Sequence, residues 1–288
     1  VIERMDYLAY YFNAMAYCGA VEDLLGVEVP PRAQYLRVIH LELNRIMSHL
    51  VWLGTSALDL GAISMFWYCF RERETILDLF EFSSGQRMHT RYIQVGGVME
   101  DIPLGFTEKL RAFLKDMPNR ADQYADLLEK NEIVLERLRG TGTVDQETLL
   151  KLGVTGPLLR AAGLPWDLRK TEPYCGYQDY DFDVITHPDG DCWSRYLVRV
   201  AEMRESVRIV EQCLARLAPG PVMVADRKIA WPAQLALGPD GLGNSLDHVK
   251  KIMGQSMEAL IHHFKLVTEG FRVPPGQVYT TVESPRGE

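Results

Sequence analysis

Between Arg45 and Arg71 the only formally charged side chain is Asp59. A stretch of that kind admits few architectures. It is long enough to cross a bilayer, yet it contains Ser48, His49, Gly54, Thr55, Ser56, Gly61 and Ser64. A central Asp costs about 2.5–3.5 kcal/mol on the insertion scale, and nothing nearby offsets it. Ile46, Leu50, Leu53 and Ala57 recur at helical spacing and Gly61 follows as a stop. The pattern predicts two buried helices of a soluble bundle, joined around Leu60–Ser64, with Asp59 at the end of the first. A carboxylate alone in apolar surroundings, facing the negative end of a helix dipole, tends to hold its proton or to find a partner. It is either a satisfied structural acid or a proton-handling one, and the residues of this stretch leave both readings open.

The rest of the chain reads as helices with little else. Residues 3–25 are amphipathic, with Leu8, Phe12, Met15, Ala16 and Leu24 on the apolar side, a dense set of tyrosines (Tyr7, Tyr10, Tyr11, Tyr17) and Gly26 as stop. After Pro30-Pro31 a second helix runs from about Ala33 to Asp59, with Arg37, Glu42 and Arg45 as its early polar residues. A third spans Phe66 to Phe82. Tyr92 to Val98 reads as two short strands about a Gly96-Gly97 turn. A helix from Phe106 is expected to break at Pro118, and a longer one follows from about Arg120 to Leu138. Two short helices come next, from Gln146 to Leu152 and from Thr155 to Gly163. Trp193 to Leu217 forms a long amphipathic helix. Residues 219–243 are irregular, Asp247 to Glu269 is the last helix, and the chain ends in a strand and a turn. The expected fold class is therefore mainly α: a single helical domain over 1–288, its helical core at 1–85 and 105–270, with short β segments near 92–99 and 277–283. The chain starts without Met, inside a helical pattern, and reads as a piece of a longer polypeptide.

Several chemistries can be set aside. A net charge of −8 argues against nucleic acid as the main partner. The helix-turn-helix-like pair has few basic residues in its second helix. Asp179, Asp181 and Asp183 open like a calcium loop, but Val184 stands where the sharp turn needs Gly and Gly190 where the last ligand should be. His262 and His263 lack the glutamate offset of bundle di-iron sites and read as ordinary. Five scattered cysteines without a Cys-x-x-Cys pair read as reduced, mostly buried thiols, so no metal or cluster is expected to be ligated by this chain. The run Arg71-Glu72-Arg73-Glu74 is either a solvated, salt-bridged face or a buried charge relay. His89 is either a hydrogen-bonded structural group or a titrating one.

In order along the chain stand Arg4-Met5-Asp6-Tyr7, Glu42-Leu43-Asn44-Arg45 with Ser48-His49-Leu50, Leu58-Asp59-Leu60-Gly61-Ala62, Phe70-Arg71-Glu72-Arg73-Glu74, Gly96-Gly97-Val98, Glu202-Met203-Arg204-Glu205-Ser206 and Glu283-Ser284-Pro285-Arg286-Gly287-Glu288. Together they resemble the D-subunit family of proton-pumping NADH:quinone oxidoreductase, respiratory complex I, which is itself similar to the large subunit of nickel–iron hydrogenases. The hydrogenase metal site needs two Cys-x-x-Cys pairs, which are absent here. The family's quinone-contacting His, in its N-terminal β-rich part, would precede Val1, and its C-terminal tail would follow Glu288. The resemblance implies that Tyr7 hydrogen-bonds and protonates the quinone, and that Asp59 passes charge changes toward the membrane. Thr55, Phe66 and Trp67 would line the quinone cavity. Arg4 and His89 would lie beside a 4Fe-4S cluster held by a neighbouring small subunit. It further implies other peripheral-arm subunits and a membrane subunit at the quinone entrance as partners, and a peripheral place on the cytoplasmic face of a bacterial membrane. The alternative is a non-catalytic scaffold of a hydrogenase-related assembly.

Overall fold

Helix α2 (Pro31–Asp59) is the element the others pack around. Pro31 starts it, its missing N–H falling where no helical partner exists. From Leu36 to Leu50 every residue is buried, charged ones included. Against it lie α3 (Ile63–Ser84) and α9 (Cys192–Arg216). The α2–α3 contact is close because of Gly54: a Cβ there would stand 3.3 Å from Cys69 Cβ and 3.4 Å from the Phe66 Cα. The computed structural model describes residues 1–226, 229 and 257–287. Most of the expected irregular stretch at 219–243, the first half of the expected last helix, the side chains of His262 and His263, and Glu288 lie outside the described residues.

The predicted first helix divides in two. A 3-10 turn (Ile2–Arg4) is followed by turn residues, and α1 (Tyr10–Leu25) begins only after Ala9. Gly26, at φ 62°, ends α1 as its sequence predicts. Strands β1 (Ile93–Gln94) and β2 (Gly97–Val98) pair antiparallel, so the turn falls at Val95-Gly96, one residue earlier than expected. The segment around Met223 lies against this hairpin: Val98 N–H donates to Val222 O (2.9 Å) and Val224 N–H to Gly96 O (2.9 Å). A Cβ on Gly97 would lie 2.1 Å from Val222 O, which is why glycine stands there. Arg37 ties the hairpin to the core, donating to Gly97 O (3.1 Å) and Gln94 O (2.8 Å) while its other face pairs with Glu22 of α1.

Pro118 does not break its helix: α4 (Phe106–Leu128) runs unbroken through it. Leu110, Phe113, Leu114, Met117, Ala121, Tyr124 and Leu128 form one buried stripe across the proline. Burying that stripe against α3 and α9 outweighs the missing hydrogen bond. The break comes later, where Asn131 caps α5 (Glu132–Leu138) by accepting from the amides of Ile133 and Val134. Short helices α6 (Gln146–Lys151), α7 (Gly156–Arg160) and α8 (Leu168–Thr171) lead to α9, and α10 (Met257–Thr268) is the last. The acidic loop before α9 is tethered by it, since Arg208 pairs with both Asp181 and Asp183.

The strand expected at 277–283 does not form. Among the described residues it pairs with neither strand of the β1–β2 hairpin. Its polar groups are taken by side chains instead: Thr280 donates to Asp23 (2.9 Å), Thr281 to Glu172 (3.1 Å), and Glu283 N–H to the Tyr174 hydroxyl (3.2 Å). A tight turn from Ser284 to Gly287 closes the described chain. The described part is thus mainly helical with one small hairpin. All five cysteines are unpaired, with Cys18, Cys69 and Cys213 buried. Among the described residues no helix is long and apolar enough to cross a membrane.

Candidate functional site

The turn between the 3-10 segment and α1 carries Tyr7, which is 61 % exposed. Both its neighbours are anchored. Asp6 O accepts from Ala9 N–H (3.1 Å) and from the Asn13 amide (3.1 Å), and Leu8 O accepts from the Asn44 amide of α2 (3.0 Å). Just before it, Arg4 and His89 line one cavity of about 420 Å³, together with Tyr17, Cys18, Arg91 and Gln94. His89 has left-handed backbone (φ 53°), as does Arg91 (φ 52°), a conformation that non-glycine residues keep only when their surroundings impose it. The Glu3 carboxylate imposes part of it by accepting from Arg91 N–H at 3.0 Å. His89 Nδ1 is buried with no hydrogen-bond partner among the described residues. Burial, and then the Arg4 charge, push its imidazole below the usual value. Arg4, His89 and Arg91 therefore give this cavity a lining rich in basic groups, with Glu3 as its one carboxylate among the described residues, and Tyr7 follows Arg4 by three residues on the next turn.

Asp59 is not where its sequence surroundings predict. It is exposed at the C-terminal end of α2, not buried among apolar helices. Here α2 leaves the core, and the charge-free run continues onto the surface: Leu58, Ile63, Trp67 and Tyr68 are all exposed, Trp67 by 68 %. Thr55 is exposed too, its hydroxyl turned back to Val51 O (2.8 Å), and Phe66 stacks on Phe70 at 4.1 Å between ring centres. The tip of the α2–α3 hairpin is thus an apolar surface patch with one carboxylate in it. Asp59 also borders a cavity of about 410 Å³ lined by Trp52, Leu60, Leu138, Tyr196 and Arg199. Tyr7 lines neither this cavity nor that of Arg4 and His89.

The run from Arg71 to Glu74 is not one buried relay. Helical geometry sends its members to different faces. Glu72 alone is buried, holding Arg71 (2.7 Å), Arg120 (3.3 Å) and the Tyr124 hydroxyl (2.5 Å). Arg73 lies over the Phe70 ring, and exposed Glu74 pairs with Arg87.

Sequence patterning did not reveal a second, fully buried set of charges. Glu42 accepts from the Tyr177 hydroxyl (2.6 Å), Ser206 Oγ (2.6 Å), Arg45 (3.2 Å) and Arg169 (3.2 Å). Arg169 also pairs with Asp167 (2.7 Å). Glu202 pairs with Arg160 (2.8 Å) and His49 Nε2 (2.8 Å), and Arg160 reaches on to Glu283 (2.7 Å). Arg45 closes the set by donating to Glu283 O (2.5 Å). Burial alone would raise the Glu42 carboxyl, but Arg45 and Arg169 outweigh it and hold the group below its usual range. Burial likewise opposes ionisation of Glu202, yet Arg160 and His49 hold it well below that range. For His49 burial wins over the Glu202 contact, and the imidazole is pushed down. The signal lies at helical spacing: Glu42 has Val38, Ile39 and Ile46 three or four residues away, and Arg45 has Leu41 and Glu42 before it, so these charges share the apolar face of α2 and not a solvated one. Among the described residues no group of three or more His, Cys, Asp or Glu is placed to hold a metal ion.

Residues 59–288 match the family model described as the 49 kDa subunit of respiratory-chain NADH dehydrogenase. The chain is 62 % identical over 289 residues to the D subunit of an NADH-quinone oxidoreductase from Acidothermus cellulolyticus, covering 100 % of this chain and 66 % of that one. It is 62 % identical to a D subunit of the same kind from Salinispora arenicola, again over 66 % of that protein. To the D subunit from Saccharopolyspora erythraea it is 56 % identical over 287 residues, which are 64 % of that protein. The chain therefore spans about two thirds of the length of these relatives.

Proposed function

This chain belongs to the family of the 49 kDa subunit of respiratory-chain NADH dehydrogenase, and we propose that it forms the quinone-facing part of an NADH-quinone oxidoreductase. In this reading it is a subunit of an enzyme and not active alone. Electrons arrive from a 4Fe-4S cluster in a neighbouring small subunit, quinone is reduced at the interface, and the change in charge is coupled to proton translocation. The relatives' name, which makes them subunits of an NADH-quinone oxidoreductase, supports the reaction class. The single observation that supports the site is the grouping of Arg4 and His89 on one cavity, with Tyr7 exposed on the adjoining turn.

The residue chemistry agrees with that assignment. Reduction of quinone to quinol takes two electrons and two protons. The Tyr7 phenol can give a proton to a quinone carbonyl oxygen if it is reprotonated quickly. The cationic side chains of Arg4 and Arg91 line the same cavity as His89, and with the Glu3 carboxylate as the one acidic group among the described residues there they favour added negative charge on whatever stands before them. Phe66 and Trp67 bring aromatic surface to a flat headgroup, and Thr55 stands on the same face, with its hydroxyl proton given to Val51 O. Asp59 is the one carboxylate among the described residues of a mainly apolar patch, with the guanidinium of Arg137 at the adjoining Leu60 carbonyl and that of Arg71 over the Tyr68 ring, so a partner laid over it removes the water that solvates the carboxylate. The basic cavity is the surface we assign to the cluster-bearing subunit, and the apolar patch the surface we assign to a membrane subunit at the quinone entrance. Other peripheral-arm subunits complete the assembly, which lies peripherally at the cytoplasmic face of the bacterial membrane. We read the chain as one helical domain, similar in fold to the nickel–iron hydrogenase large subunit.

Tyr7→Phe in the assembled complex tests the assignment. Loss of a positioned proton donor lowers turnover by about 10²-fold or more. NADH oxidation by an artificial acceptor that bypasses quinone should be unchanged. Near-parental quinone turnover would remove the donor role. A second reading, a non-catalytic scaffold, draws on the observation that Tyr7 and Asp59 line no shared cavity within this chain. Asp59→Asn separates the two, because a scaffold retains activity and the quinone-site reading requires its loss with assembly intact.

A further inference from the structure

The turn that carries Tyr7 is gripped from outside its own helix. Arg286 Nη2 stands 2.7 Å from Asp6 Oδ2, one residue before Tyr7. Arg286 is itself held in place by the turn it belongs to. Ser284 and Gly287 exchange backbone hydrogen bonds at 3.0 and 3.1 Å, and Arg286 N–H donates to Ser284 Oγ. Gly287 lies against Gly156 so closely that a Cβ on Gly156 would stand 2.4 Å from the Gly287 Cα. The residue just before the turn, Glu283, is locked into the buried ion network through Arg160, through Leu168 N–H (3.1 Å) and through Arg45. On the other side of Tyr7, Leu8 O is held by Asn44, the residue before Arg45 on α2.

We infer that Arg286 is a positioning residue for quinone reduction: its ion pair with Asp6 fixes the turn that presents the Tyr7 phenol, and transmits to that turn the rigidity of the buried network. The inference rests on the reading of Tyr7 as proton donor. Asp6 and Arg286 do not themselves touch the quinone in this assignment. Their pair is the connection between the last described turn and the first, and the Arg286 side chain is 66 % exposed, so the core does not depend on it. Proton transfer requires the donor within hydrogen-bond reach of the acceptor, and a displacement of about 1 Å costs on the order of 10²-fold in rate.

The test uses the assembled complex, with NADH as donor and a short-chain quinone as acceptor, and turnover normalised to NADH oxidation by an artificial acceptor. Arg286→Gln and Asp6→Asn should each lower kcat on the order of 10- to 100-fold. The KM for quinone should change by less than about threefold, because the contacts that bind the headgroup remain. Arg286→Lys should recover most of the loss. The double variant Asp6→Asn with Arg286→Gln should be no slower than either single one, since the two act as one unit. Tyr7→Phe is measured alongside. A slow Tyr7→Phe with parental Arg286→Gln and Asp6→Asn overturns the positioning role alone, as do additive losses in the double variant. A parental Tyr7→Phe overturns the donor reading and this inference with it.

Discussion

His40 is fully buried in α2, and its surroundings dictate its tautomer. Nδ1 lies 2.8 Å from Leu36 O, which can only accept, so Nδ1 carries the proton and Nε2 faces the Ser83 hydroxyl at 2.9 Å. Tyr92, Phe80 and Phe106 surround the ring. Burial pushes the imidazole down to about 4, against the weaker opposing effect of the Leu36 contact. A histidine whose folded value lies below its unfolded one binds fewer protons when folded. Its contribution is therefore complete above about pH 6.5 and is lost as pH falls toward 4, by up to about 3 kcal/mol. His49 is pushed down as well and adds to the same slope. His40→Gln should accordingly flatten part of the fall in stability between about pH 6.5 and 4.5, a window read by denaturant titration. The same scale explains what could be seen in the amino-acid order. Arg4 and His89, distant in sequence, do meet at one cavity. Asp59 lacks the buried environment expected of it, while Glu42, read from the sequence only as an early polar residue of its helix, is buried: sequence neighbours report the chain's own composition, and burial depends on which helix crosses at that point. Asp59 lies where α2 leaves the core, and Glu42 where Tyr177, Ser206 and Arg169 arrive from other elements.

Element boundaries are readable in the sequence where a local rule decides them. Gly26 ends α1, Gly85 ends α3, and Pro31 opens α2, each by conformational preference alone. They are not readable where packing overrides that preference, as at Pro118. A proline inside a helix forfeits about 3 kcal/mol relative to alanine in host peptides, partly offset because it also restricts the unfolded chain. Since α4 is continuous through Pro118 and buried on both sides of it, the backbone is already helical there. Pro118→Ala should restore the hydrogen bond to Leu114 O and raise stability by about 1–3 kcal/mol, measured as a higher denaturant midpoint at unchanged slope. A fall in midpoint would mean that the helix depends on the proline. The expected strand at 277–283 fails for the complementary reason. Its composition suits a strand, but extended backbone becomes a strand only beside a partner, and side chains of α1, Tyr174 and Glu172 satisfy its groups instead.

Across the whole molecule, the buried ion network joins chain segments far apart in order. Glu42 and Arg45 come from α2, Arg160 from α7, Arg169 from α8, Glu202 from α9 and Glu283 from the last extended segment. Desolvating these charges is costly, and hydrophobic replacements of equal volume would give comparable stability. What the ions add is directional: each guanidinium pairs well only with a carboxylate in its plane, so the segments meet in one register. Removing a single partner is a different matter, because it strands the others without water. Glu202→Gln leaves Arg160 and His49 facing a neutral amide, at a cost of about 3–5 kcal/mol near pH 7. The sign of its pH dependence follows from the Glu202 shift. Its folded carboxyl lies well below the unfolded value, so the parental protein holds this stabilisation above about pH 4.5 and loses it as pH falls through the folded value. The penalty of Glu202→Gln should therefore be largest at neutral pH and shrink on acidification, as the parental carboxylate takes up its proton and comes to resemble the amide. Unfolding free energies of the two proteins, compared over that range, should converge toward the acid end. Curves that stay parallel would mean that Glu202 acts by shape, and that its charge does not hold α7, α9 and the closing turn together.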